Sequence, residues 1–146
     1  MSAMMKQTAT RSAIAKFVFA FAMMTASATA ISADKVTTVP VKFAKGASSA
    51  TIKGDFAGYD SVQYTLAAKA GQSMTVKVAG STNANFNVFA PGATPGQAQA
   101  LGQGGVGSDW SGALPATGTY TVQVYQMRAS ARRGEKVAYT ITVGIR

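Results

Sequence analysis

From residue 39 onward, apolar and polar side chains alternate along the chain in short, repeated runs. Val39, Val41 and Phe43 alternate with Pro40 and Lys42, and Val62, Tyr64 and Leu66 alternate with Gln63 and Thr65. The same pattern returns at Met74, Val76 and Val78, at Tyr120, Val122 and Val124, and at Val137, Tyr139, Ile141 and Val143. Successive side chains of a strand point to opposite faces, so each run has one face for a core and one for water. Residues 50–53 read as a further short strand. Turn-forming residues separate the runs: Lys45-Gly46, Gly54-Asp55, Gly58-Tyr59-Asp60 and Thr117-Gly118, with 69–73 reading as a hairpin. No segment carries a capped helical stripe. Strands at this spacing predict an all-β fold, an antiparallel β-sandwich or jelly-roll-like domain of about eight strands.

Residues 91–109 break the pattern with six glycines and two prolines. They read as a long loop, with a short strand near 100–101 able to divide it. The stretch 102–107 has the glycine content of a phosphate cradle. It has no flanking helix and no following Lys-Ser/Thr pair, so that reading is set aside.

The N-terminus has a different pattern. Lys6, Arg11 and Lys16 precede the uncharged stretch 17–24, which runs into alanine-, serine- and threonine-rich residues. This is the layout of a secretory signal peptide, with cleavage expected after Ala33 and Ala30 as the alternative. The strongly apolar part is about ten residues, against roughly twenty for a spanning helix. The expected organisation is therefore a signal peptide at 1–33 and one domain at 34–146. The mature form would lack a membrane anchor.

Charge and composition then narrow the chemistry. The whole chain has 14 Lys+Arg and five Asp+Glu, and a net charge of +9. Without 1–33 the balance is eleven against five, or +6. There is no cysteine and no histidine. Disulfides, thiol chemistry and any Ser-His or Cys-His arrangement are excluded. The acids are Asp34, Asp55, Asp60, Asp109 and Glu135, too scattered to suggest a carboxylate pair. The reading is not an enzyme, with no cofactor and no metal. The positive charge alone would admit nucleic acid, but the basic residues are not interleaved with aromatics, and export counts against it.

Two sets of motifs resemble known proteins. Ala70-Gly71-Gln72 and Leu114-Pro115-Ala-Thr-Gly118-Thr-Tyr120 resemble the pre-peptidase C-terminal type of β-sandwich and mark a fold. Ser48-Ser-Ala-Thr-Ile-Lys-Gly54 with Gly58-Tyr59-Asp60, and Met127-Arg-Ala-Ser-Ala-Arg-Arg-Gly134, resemble more narrowly the bacterial periplasmic inhibitors of goose-type (g-type) lysozyme. The likeness runs from about Val39 to Val143. It implies a periplasmic protein whose partner is a g-type lysozyme and whose tyrosine and arginines plug that enzyme's cleft. The matching positions are Tyr59, Arg128 and Arg132, with Arg133 able to share the role. These arginines are expected on one hairpin loop at an end of the sandwich. The protein is expected as a monomer or weak dimer. The competing reading is a secreted carbohydrate- or cell-wall-binding module, for which Trp110 is the candidate aromatic.

Overall fold

A computed structural model describes residues 34–146; the expected signal peptide at 1–33 lies outside the described residues. The alternating runs become strands of two sheets. One sheet has the order β1 (Val36–Pro40), β3 (Ser61–Ala68), β8 (Gly118–Tyr125), β5 (Asn85–Phe89), β6 (Gly102–Gly105). The other has the order β2 (Ser49–Ala57), β9 (Lys136–Ile145), β4 (Ser73–Gly80), β7 (Trp110–Ala113). The expected antiparallel β-sandwich is the observed fold, with nine strands and one parallel pair, β1 with β3, among the described residues. That pair follows from the path: the chain crosses to the second sheet for β2 and returns, so β3 runs in the direction of β1.

The inward residues of each run form one core. Tyr120, Val122 and Val124 of β8 face Val137, Ile141 and Val143 of β9 and Met74, Val76 and Val78 of β4, all nearly inaccessible to water. Burying each such side chain contributes roughly 1.5–3 kcal/mol, and this core takes the place of disulfides in a cysteine-free domain.

Three local expectations are corrected. Residues 50–53 are part of a nine-residue strand that runs through Gly54 and Asp55, which are not a turn. Gly54 is needed there because a Cβ would lie 2.5 Å from the Tyr139 hydroxyl and 2.7 Å from that of Tyr64. Those hydroxyls are hydrogen-bonded to each other at 2.6 Å inside the core. Residues 69–73 are not a hairpin, because β3 and β4 belong to different sheets and the segment is a corner between them. Within 91–109 the strand is Gly102–Gly105 rather than 100–101.

The two ends of the sandwich are built differently. At one end, Gly71 N–H donates to the Leu114 carbonyl (2.9 Å) and Leu114 N–H to the Gln72 carbonyl (2.7 Å). The Tyr120 hydroxyl donates to the Ala116 carbonyl at 2.6 Å and accepts from Ala116 N–H at 3.1 Å. The two fold motifs thus meet and lock, with Tyr120 acting as a tyrosine corner. The opposite end holds the turn at 58–60 and the β8–β9 connection.

Candidate functional site

The β8–β9 connection is not a hairpin loop. It joins the two sheets and contains a short helix, α1 (Arg128–Arg132). Ala131 N–H donates to the Met127 carbonyl at 2.9 Å. The helix ends at Gly134, whose φ of 67° is readily adopted by glycine. Gly134 N–H donates to the Ala131 carbonyl and Glu135 N–H to the Ser130 carbonyl, the paired bonds of a Schellman stop. A five-residue helix gives too little periodicity to be recognised in a sequence dominated by strands.

The helix explains the spacing of the arginines. Residues four apart share a helical face, so Arg128 and Arg132 lie on the same side. Ser130 and Ala131 are buried, while Arg128, Ala129 and Arg132 are exposed. This placement only partly suits local electrostatics: Arg132 stands in the last turn, where a cation is favoured. Arg128 opens the helix where a carboxylate is favoured, no acid stands in the first turn, and the two like charges are one turn apart. Such local disagreement in an otherwise consistent fold points to function.

The turn at 58–60 packs directly against this helix. A Cβ on Gly58 would lie 3.7 Å from the Ala131 carbonyl oxygen and 4.0 Å from the Gly134 Cα. Gly58 N–H donates to the Glu135 carbonyl at 3.1 Å. Asp60 stabilises the same turn, its Oδ1 accepting from Lys35 N–H at 2.8 Å. Tyr59 projects from it and is 48% exposed, and Met127, at the start of the helix, is 57% exposed. The fold therefore brings all four expected site residues, Tyr59, Arg128, Arg132 and Arg133, to one end.

Arg133 differs from its neighbours. Its Nε donates to Glu135 Oε1 at 2.8 Å, the sole ion pair among the described residues. Asn83, on the β4–β5 loop, donates to Glu135 Oε2 at 2.5 Å. The Arg133 hydrogen bond, foremost, holds the Glu135 carboxyl below its usual range. Glu135 thus links Arg133 to a third loop, while among the described residues Arg128 and Arg132 make no ion pair.

Two residues with other expected or overlooked parts complete the picture. Trp110 packs against the core, and its ring covers the backbone of Gly102 and Gly112, where a Cβ would collide with it. The 91–101 part of the glycine-rich region lies toward the opposite end, where Pro91 packs on Gly118. Gln126 was not singled out from the sequence. It continues the inward parity of Tyr120, Val122 and Val124, and a polar residue in that register was the available signal. Among the described residues, no three His, Cys, Asp or Glu side chains are grouped to hold a metal, and no helix is long and apolar enough to cross a membrane.

The fold and this surface define a β-sandwich that carries an exposed aromatic, a methionine and unpaired arginines on one tip, the composition of a protein-binding surface. Residues 60–126 match the family model of the bacterial pre-peptidase C-terminal domain. The pre-peptidase C-terminal domain of a Bacillus anthracis collagenase shares the fold at 13% identity, with a TM-score of 0.50 over 75% of this chain and 95% of that one. The Escherichia coli (strain K12) inhibitor of g-type lysozyme is 33% identical over 133 residues, 91% of this chain and 96% of that protein. A crystal structure of an Aeromonas hydrophila periplasmic lysozyme inhibitor of g-type lysozyme is 67% identical, with a TM-score of 0.76 over 78% of this chain and 100% of that one. The chain belongs to the family of g-type lysozyme inhibitors. These relatives are inhibitors and not enzymes, in agreement with the non-catalytic reading of the sequence.

Proposed function

We propose that the protein is a periplasmic inhibitor of g-type lysozyme that occludes the enzyme's active-site cleft with the tip formed by the 58–60 turn and the helix Arg128–Arg132. The observation that carries this reading is the pair of exposed arginines on one helical face, without an ion pair among the described residues, on a helix segment against which Gly58 of the Tyr59 turn packs. A lysozyme cleaves glycosidic bonds with a carboxylic acid in a concave cleft. A guanidinium stays charged and donates a planar fork to a carboxylate, and Tyr59 adds rigid, amphipathic area. Arg128 and Arg132 are the cations directed at the cleft acid. Arg133 borders the same surface, with its Nε already committed to Glu135.

Residues 1–33 act in this account as a cleaved export signal and 34–146 as the inhibitor domain, which meets the enzyme in the periplasm. The intact mass of the protein recovered from periplasmic extract tests the boundary: cleavage after Ala33 or Ala30 supports it, and an uncleaved chain refutes it. The function is tested by lysis of cell walls by goose-, chicken- and invertebrate-type lysozymes in parallel, each with the mature domain. Suppression of the goose-type enzyme is expected. Undiminished lysis by that enzyme at micromolar excess of the domain would refute the proposal.

A further inference from the structure

The tip consists of two segments distant in sequence, and one buried side chain joins them. Gln126 is 6% exposed. Its Nε2 donates to the Gly58 carbonyl at 2.9 Å and to the Glu135 carbonyl at 2.7 Å. The Glu135 carbonyl also accepts from Gly58 N–H at 3.1 Å. The Gln126 amide, the Gly58 peptide groups and the Glu135 carbonyl therefore form a closed ring of three hydrogen bonds. Gly58 precedes Tyr59, Glu135 is the last residue of the Schellman stop of the arginine helix, and Gln126 itself lies two residues before Arg128. The three corners of the ring are thus the bases of the segments that present the tyrosine and the two arginines.

A backbone-only junction would be weaker. The 58–60 turn has only one backbone bond to the 126–135 segment, from Gly58 N–H. The Gln126 amide adds two more, giving the Gly58 carbonyl a donor and the Glu135 carbonyl a second one. The cost is an orphaned acceptor, because Gln126 Oε1 is buried with no hydrogen-bond partner among the described residues. A buried polar side chain just past the end of β8, kept with half its amide unsatisfied, is poor for stability alone. It is intelligible where geometry has to be fixed.

We infer that Gln126 is the positioning residue of the inhibitory tip. It touches no partner, and it holds Tyr59 and the Arg128/Arg132 face in one rigid arrangement before lysozyme arrives. Preorganisation of this kind removes ordering cost at binding. The inference rests on the proposed inhibitory reading of the tip.

The test compares Gln126→Met, which keeps length and removes both donors, with wild type, Tyr59→Ala and Arg132→Ala in binding to goose-type lysozyme. Gln126→Met is expected to weaken binding by about 10- to 100-fold in an otherwise intact tip. In a Tyr59→Ala/Arg132→Ala background its effect is expected to shrink to about twofold, because only Arg128 is left to position. An equal loss in both backgrounds, or no loss in the first, would overturn the inference. A second variant covers the case where methionine prevents folding. Gln126→Glu places a carboxylate against two carbonyl oxygens at neutral pH and regains one donor when protonated. Its affinity relative to wild type should recover as pH falls, and a ratio independent of pH would count against positioning. A lysozyme-free measurement separates this from failure of the inhibitor reading. Amide exchange at Gly58 should accelerate in Gln126→Met relative to wild type, and unchanged protection would refute the ring. If wild type does not bind lysozyme while the exchange result holds, the inhibitory reading fails and the structural ring stands.

Discussion

The two ends of this sandwich use their side chains in opposite ways. At the end formed by 69–72 and 114–118, hydrogen-bonding groups face one another: Gly71 and Gln72 with Leu114, and Tyr120 with Ala116. At the other end, Tyr59, Met127, Arg128 and Arg132 face water, held from beneath by Gln126 and Glu135. The first end closes the fold and the second displays a surface on it. The contrast accounts for the two sets of motifs in the sequence. Those shared widely with pre-peptidase C-terminal sandwiches lie at the closing end; of those specific to the inhibitor family, Gly58-Tyr59-Asp60 and Met127–Gly134 lie at the displaying end, while Ser48–Gly54 runs along β2 from the closing end toward it.

If the division is correct, substitutions at the two ends should separate stability from inhibition. The largest effect is expected for Arg132→Ala, which should weaken inhibition by about 2–5 kcal/mol if its charge is buried against a carboxylate in the complex. Its unfolding free energy should remain within about 0.5 kcal/mol of wild type, as for other exposed positions. Inhibition assays and urea denaturation of the same preparation check both halves. Tyr120→Phe should do the reverse. Removing the hydroxyl leaves Ala116 without its partner and should cost about 1–3 kcal/mol of stability. Inhibition by the folded fraction should be unaltered. A Tyr120→Phe protein that folds normally and inhibits poorly would break the comparison.

Gly134→Ala lies on the boundary. It forces an alanine into a positive φ and should cost about 1 kcal/mol of stability while loosening the arginine helix, so both readouts should fall together. The smallest mutational effect is expected for Arg133→Ala. Because its Nε serves Glu135, inhibition should change by about threefold or less. Acid sharpens the same point. The Glu135 carboxyl has a depressed pKa in the folded state, so its contribution is present at neutral pH and is lost as pH falls through that lowered value, below its ordinary 4.5. Amide exchange in the 127–135 segment should therefore rise in strong acid before exchange at the closing end does.

Much of this was legible in the sequence, and the parts that were not have physical reasons. Period-two alternation located the long strands because their inward residues are large and apolar, as in 120–124 and 137–143. It could not reveal β6, since Gly102, Gly104 and Gly105 carry no side chains to alternate. It could not assign strands to sheets either, so 69–73 and 126–135 looked like hairpins while both connect the two layers. Gly54 looked like a turn because its reason for being glycine, the Tyr64–Tyr139 hydroxyl pair, is formed by residues on two other strands. The candidate site residues came from a motif resemblance. The four-residue spacing of Arg128 and Arg132 became meaningful only once the segment proved helical. Gln126 was missed because its part depends on carbonyls at Gly58 and Glu135, which no local pattern brings together.

The central claim is that the displaying end, and not the closing end, carries inhibition. The most direct test is the dissociation constant of the mature domain with goose-type lysozyme, compared among wild type, the Arg128→Ala/Arg132→Ala double variant and Tyr120→Phe at matched folded concentration. The account predicts tight binding for wild type and Tyr120→Phe, with a loss of about 100-fold or more for the folded double variant. A double variant that binds as tightly as wild type would contradict it.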